Sequence, residues 1–154
     1  MPTVRIAKSS DARKLASLRH KFRSINVQDR ESETEFIGRC AVWMAERLHQ
    51  NNWRCWVVEQ EHSLVGALWL QLIEKIPNPT AEPEFHAYIT NVFVDESLRG
   101  HGLGSKLLNE ALTFCKQQAV HAVILWPSEK SRTLYERHGF AIRSDIMTLL
   151  INES

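Results

Sequence analysis

The chain has 154 residues, 44% of them hydrophobic, which is the size of one globular domain with a real core, so a single domain over residues 1–154 is expected. With 19 basic residues against 18 acidic ones the formal charge is +1, which excludes a global field drawing the protein onto nucleic acid or an anionic membrane; any phosphate recognition has to be local. Apolar runs such as LVGALWLQLI are too short and interrupted to span a bilayer, and MPTVRIAKSS lacks the apolar centre of a signal peptide, so a soluble cytoplasmic protein is expected.

In chain order, Val4 to Ala7 predict a first strand, and Ser9 or Ser10 a cap for a helix carrying Leu15, Leu18, Phe22 and Ile25 on one face. A second helix is expected from Ser32, where SETE forms a capping box to Glu35, with Ile37, Cys40, Met44 and Leu48 as its apolar stripe. WRCWVVEQ and LVGALWLQLIEKI, separated by the polar EQEHS, read as a long antiparallel hairpin, and PNPTAEP as a loop. EFHAYITNVFV is a strand with Phe85, Ala87 and Ile89 on an apolar face and Glu84, His86, Tyr88 and Thr90 on the other. That second face sets a carboxylate and an imidazole beside a tyrosine, although an ordinary solvated face gives the same pattern. Beyond a glycine turn, Leu103, Leu107, Leu108, Ala111, Leu112 and Cys115 predict a third helix. HAVILWP is a short buried strand stopped by Pro127, a fourth helix runs from Ser128 to His138 with Gly139 as its C-terminal stop, and FAIRSDIMTLLI predicts one or two terminal strands. Cys40, Cys55 and Cys115 lie in separate elements without metal-ligand spacing and read as buried structural thiols; no metal site is expected.

The glycines pose the functional question. A P-loop requires glycine directly before its lysine and a hydroxyl directly after it, whereas Lys106 lies between Ser105 and Leu107. A dinucleotide fingerprint starting at Gly100 and Gly102 puts its third glycine on Ser105. What remains is Arg99-x-x-Gly102-x-Gly104 between a strand and a helix N-terminus, where the backbone approaches a ligand closely and the first-turn N–H groups point outward. A pyrophosphate fits such a nest, and a purely structural strand-to-helix turn uses the same residues.

ITNVFVDESLRGHGLGSKLL, followed about thirty residues later by SEKSRTLYERHGF, resembles the GNAT superfamily of acetyl-CoA-dependent N-acetyltransferases. Arg99, Gly102 and Gly104 match its R/Q-x-x-G-x-G/A motif, and Leu134, Tyr135, Glu136, Gly139 and Phe140 match its tyrosine-bearing segment. The resemblance covers nearly the whole chain, the first half in element pattern only. Two positions depart from it: Glu96 where proline is common, and Ser128 where relatives carry an asparagine that reaches the pantetheine arm. The fold implied is α/β, GNAT-like, with a mixed, mostly antiparallel sheet splayed between strands 4 and 5 and flanked by about four helices.

The resemblance further implies acetyl-CoA as co-substrate, with no metal, and direct attack of a primary amine on the thioester. Cofactor contacts are expected from Val92, Phe93 and Val94, from the segment Arg99, Gly100, His101, Gly102, Leu103, Gly104, Ser105 and Lys106, and from Ser128 and Ser131. A backbone N–H near Val94 would polarise the carbonyl, Tyr135 would serve as general acid, and Glu84 or His86 as the base. The expected partner is an amine-bearing small molecule or peptide, with no nucleic acid or membrane, and homodimerisation is a further expectation. The alternative is a non-catalytic acyl-CoA sensor. The acceptor would meet the region from Ile25 to Phe36 and the loop from Pro77 to Glu84. The carboxylates there, Asp29, Glu31, Glu33, Glu82 and Glu84, suit a cationic amine such as a polyamine, aminoglycoside, lysine or peptide N-terminus, and equally suit helix capping.

Overall fold

The computed structural model describes residues 1–23 and 30–152, so Ile25 of the first predicted stripe and Asp29 lie outside the described residues. Five strands, β1 (Thr3–Ile6), β2 (Trp53–Gln60), β3 (Ser63–Glu74), β4 (Phe85–Val94) and β5 (Ala122–Ile124), form one sheet in sequence order. The first four pair antiparallel and β5 pairs parallel to β4. Helices α1 (Ala12–Arg23) and α2 (Glu33–Leu48) cover one face, and α3 (Leu103–Gln117) and the short α4 (Arg132–Arg137) lie on the other side. This is the mixed α/β sheet with four helices that the sequence implies.

The two-sided core follows from the strands' period of two. In β2, Cys55 and Val57 pack toward α1 and α2 while Trp56 and Val58 pack toward α3; in β3, Ala67 and Trp69 take the first side and Leu68, Leu70 and Leu72 the second. Central strands buried on both faces have no polar face to alternate, which is why WRCWVVEQ and LVGALWL read as nearly continuous apolar runs. Glu61 and His62 join β2 to β3 with φ of 49° and 67°, the two consecutive left-handed residues of a tight turn that matches the twist of its strands.

Three expectations change. The cap falls on Lys8 rather than on Ser9 or Ser10: a 3-10 turn over Ser9–Asp11 leads into α1, and the carboxylate of Asp11, its third residue, accepts from Lys8 N at 2.7 Å and from both Arg5 terminal nitrogens at 2.9 and 3.0 Å. The fourth helix starts at Arg132, four residues after Ser128, because Ser128 and Ser131 bond to each other in a turn ahead of it. Residues 141–152 form no strand, since no backbone ladder engages them. Ile142, Ile146, Met147, Leu149, Leu150 and Ile151 stay exposed in consequence.

Arg5 also reaches Glu59 at 3.0 Å, so one guanidinium ties β1, β2 and the start of α1 together around a carboxylate only 7% exposed. The Arg5 bond holds the Asp11 carboxyl below its usual range. A depressed folded-state value stabilises above the unfolded value of about 4 and is lost as pH falls through the folded one. Asp11→Asn should therefore cost about 1–3 kcal/mol at neutral pH, and urea titrations of parent and variant should converge as pH drops below about 4.

Candidate active site

β4 organises two cavities. Its partner β5 pairs with it only at His86, Ala87 and Tyr88, and beyond Tyr88 no described strand continues along that edge. Opposite, the β3–β4 register shifts between Ala67 and Trp69, where Asn91 takes a left-handed φ of 55°. A bulge of this kind re-aims the strand. The sheet thus parts between β4 and β5, as expected for strands 4 and 5.

The first cavity, about 460 Å³, lies on the α3 side. Val92, Phe93, Val94, Arg99, Gly100, Gly102, Leu103, Gly104, Ser105, Ser128, Ser131 and Tyr135 line it, which brings together most of the expected cofactor residues. His101 and Lys106 are not among its lining residues; His101 is exposed, with its Nδ1 3.1 Å from Arg99 O. Sequence reading missed Leu98, Lys130, Leu134 and Arg137. Lys130 and Arg137 carry the only signal that was available, positive charge flanking the tyrosine segment. With Arg99 they make three cationic residues on a lining without a carboxylate, a local positive field in a chain of net charge +1.

The glycine turn is built as an anion nest. Gly102, at φ 76°, precedes α3, and the first helical bond is Lys106 N to Gly102 O at 3.0 Å, leaving the N–H groups of Leu103, Gly104 and Ser105 without helical acceptors. A Cβ on Gly102 meets no atom within 4 Å, so the space before the nest is open, while one on Gly104 lies 3.3 Å from Leu134. Gly104 thus lets α3 approach the tyrosine-bearing helix. Pyrophosphate chemistry suits this set: unpaired N–H donors, a helix N-terminus and flanking cations.

Tyr135 is fixed from behind. Gly139, at φ 94°, allows the turn in which Gly139 N donates to Glu136 O at 3.0 Å and Phe140 N to Tyr135 O at 3.1 Å, with Phe140 packed edge-on against the Tyr135 ring at 5.7 Å. The residue is 7% exposed; burial raises its phenol above the ordinary value and a Ser131 hydrogen bond opposes that rise. It stays protonated at neutral pH.

The second cavity, about 470 Å³, lies on the opposite face under α2, lined by Arg19, Phe36, Arg39, Cys40, Trp43 and Trp69 together with Tyr88, Thr90 and Asn91 of β4. Its β4 residues adjoin those of the first cavity, so the strand runs from one to the other. Glu84 and His86 line neither cavity. Glu84 is exposed just before β4, and His86 stacks on His121 at 5.3 Å with its Nδ1 buried and unpartnered among the described residues. The carboxylates expected near the acceptor are engaged elsewhere: Glu31 pairs with Arg39, Glu82 with Lys75 at 2.8 Å, and Glu33 starts α2. Among the described residues no group of three His, Cys, Asp or Glu is placed to hold a metal, and no helix is long and apolar enough to cross a membrane.

Residues 15–140 match the model of the acetyltransferase (GNAT) family, so the chain belongs to that family. A Bacillus subtilis protein, YwnH, provisionally assigned as a phosphinothricin acetyltransferase, is 32% identical over 60% of this chain and 56% of its own length. Glucosamine 6-phosphate N-acetyltransferase of Trypanosoma brucei brucei is 39% identical over 40% of this chain and 42% of its own. The matches thus span about half of these relatives or less. A "predicted acetyltransferase" of Clostridium acetobutylicum, solved with acetyl-CoA, shares the fold over 98% of this chain and 97% of its own at a TM-score of 0.77 and 19% identity.

Gly102→Asp keeps a residue type that tolerates positive φ but sets a carboxylate before the nest. It should weaken acetyl-CoA binding at least about tenfold (~1.4 kcal/mol) by calorimetry, while Gly102→Asn, uncharged and similar in size, should weaken it less. Equal affinities for the two would remove charge from the account of the nest.

Proposed function

We propose that this chain is a single-domain N-acetyltransferase, residues 1–154, that moves the acetyl group of acetyl-CoA to a primary amine by direct attack. The observation that carries this reading is the shared strand: β4 borders the glycine-nest cavity with Val92–Val94 and the opposite cavity with Tyr88, Thr90 and Asn91, and its edge is open between them. Pyrophosphate is held by the nest, pantetheine lies along the free edge of β4, and the amine enters from the α2 side. A backbone N–H near Val94 donates to the thioester carbonyl. As the N–C bond forms and the C–S bond breaks, the electron pair passes to sulfur and Tyr135 gives it a proton. The ammonium form of the amine gives up one proton through water before it attacks; the second, released as the amide forms, passes through water and restores the phenol.

Glu84 and His86 are proposed as the sink for the first of these protons, the one the ammonium loses before attack. At about 3.4 Å per strand residue, His86 stands roughly 20 Å before Val92 along β4, so the relay has to run through water past Tyr88 and Thr90. Buried, unpaired Cys40, Cys55 and Cys115 suit a reducing compartment such as the cytoplasm.

Tyr135→Phe keeps the packing against Phe140 and removes the proton. It should leave the thermal shift given by acetyl-CoA nearly intact and lower kcat about ten- to a thousandfold. His86→Ala, if the relay operates, should slow turnover most at low pH and least where the amine deprotonates unaided. Acetyl-CoA binding with no thiol released to any amine would identify a sensor instead, and unchanged kcat in Tyr135→Phe would leave water as the acid.

We also propose a homodimer built through the terminal segment. Residues 141–152 carry six exposed large apolar side chains, and described residues leave the outer edge of β5 unpaired. Each copy therefore offers both a strand-prone segment and an open edge, the halves of a reciprocal exchange. Light scattering should give a dimer, dissociated by Leu149→Asp with Ile151→Asp; a monomeric parent protein would overturn this.

A further inference from the structure

The cavity under α2 has the chemistry of an anion site joined to an apolar one. Arg19 is half-buried, and desolvation holds its guanidinium below its ordinary pKa. Among the described residues no carboxylate pairs with it. Its Nη1 donates instead to the neutral Asn91 Oδ1 at 2.7 Å. Asn91 is the bulged residue of β4, so the strained turn that parts the sheet also holds this cation in place. A half-buried guanidinium answered only by an amide oxygen still has donors for an anion. Arg39, at the rim, is already neutralised by Glu31.

The rest of the wall is aromatic. Trp43, Trp53 and Trp69 meet at centroid distances of 5.2, 6.1 and 6.2 Å, largely edge to face. Trp69 is 2% exposed, and its Nε1–H is buried without a partner among the described residues. A cage for a cation presents ring faces. Here Arg47 already lies over the Trp43 ring at 4.6 Å, and Arg19 repels a second cation from the β4 end.

Resting on the reading that this cavity receives the acceptor, we propose that the acceptor is an amine of amino-acid type, with an anionic group beside the amine for Arg19 and an apolar body for the tryptophans. Adjacency follows from Asn91. It holds Arg19 three residues before Val94, beside which the thioester carbonyl is proposed to lie, about 10 Å along the strand at about 3.4 Å per residue, so the anion stays on the same short stretch of β4 as the reacting nitrogen. Polyamines, which are cationic throughout, are disfavoured.

Because three tryptophans line the cavity, binding can be read by their fluorescence independently of turnover. Four probes separate the terms: L-phenylalanine, its phosphonate analogue 1-amino-2-phenylethylphosphonate, phenethylamine, which lacks the anion, and spermidine. L-Phenylalanine or its phosphonate should bind at least about tenfold more tightly than phenethylamine, and the better of the two identifies the anion as carboxylate or phosphorus oxyanion. Arg19→Gln should abolish the preference and Arg19→Lys retain part of it, with the acetyl-CoA thermal shift intact in both as the check on folding. Phenethylamine or spermidine binding as tightly as the anionic probes, or a preference that survives Arg19→Gln, overturns the proposal. Thiol release from acetyl-CoA with the same probes tests acetyl transfer separately: anion-selective binding without release sinks the transferase reading and leaves the pocket chemistry standing.

Discussion

Everything functional in this molecule depends on β4 keeping one neighbour and losing the other. Backbone N–H and C=O groups in a sheet are obligatory hydrogen-bonding groups, and a strand that leaves its partner has to give them another. β3 stays paired with β4 across the bulge to Val94, whereas β5 leaves after Tyr88. The free edge of Val92–Val94 is therefore a row of donors and acceptors beside an open cavity, and an amide-bearing chain such as pantetheine is a natural complement to it. Asn91 makes the separation possible. Its left-handed φ costs backbone strain in a residue type that tolerates it better than most, and its side chain, holding Arg19, is part of what keeps it there.

The two faces of the sheet then acquire different electrostatics without any change in the near-neutral total. On the α3 side, Arg99, Lys130 and Arg137 and the α3 N-terminus form a local positive field around one cavity. On the α2 side, Arg39 is spent on Glu31 and Arg19 is left with an amide. Charge-class arguments from composition alone stop at the global sum. Local fields of this kind arise from which residues the fold brings together.

The sequence made the element order, the hairpin, the glycine turn and the tyrosine segment legible because each depends on neighbours a few residues apart. Period-two burial, the two-residue turn at Glu61 and His62 and the stop at Gly139 are all local devices. What it did not reveal depends on distant partners. Ser9 and Ser10 are good capping residues, yet Arg5, on the preceding strand, holds Asp11 where its carboxylate accepts from Lys8 N, and the cap falls on Lys8. The terminal FAIRSDIMTLLI has strand propensity, and propensity without a ladder forms no strand. The acidic loop residues suggested a cationic acceptor, and only the folded chain shows that Glu31 and Glu82 are matched to Arg39 and Lys75 while Arg19 faces the pocket.

The proposed role of Tyr135 has to survive an objection from acidity. In water a phenol near 10 is a weaker acid than a thiol near 8.5, so full proton transfer from tyrosine to a thiolate is uphill by roughly 2 kcal/mol. Burial changes the comparison. Cys115, in the same core cluster as Tyr135, has its thiol pushed up to about 11 by desolvation alone. A CoA sulfur leaving into a cleft from which bound ligand excludes water would likewise be a stronger base than in solution. The Tyr135 phenol is raised by burial too, but its Ser131 hydrogen bond offsets part of that rise. The same exclusion of water that makes the phenol a weaker acid would make the leaving group more demanding of a proton, and it is this matching, more than the acidity of tyrosine in water, that supports the role proposed for Tyr135.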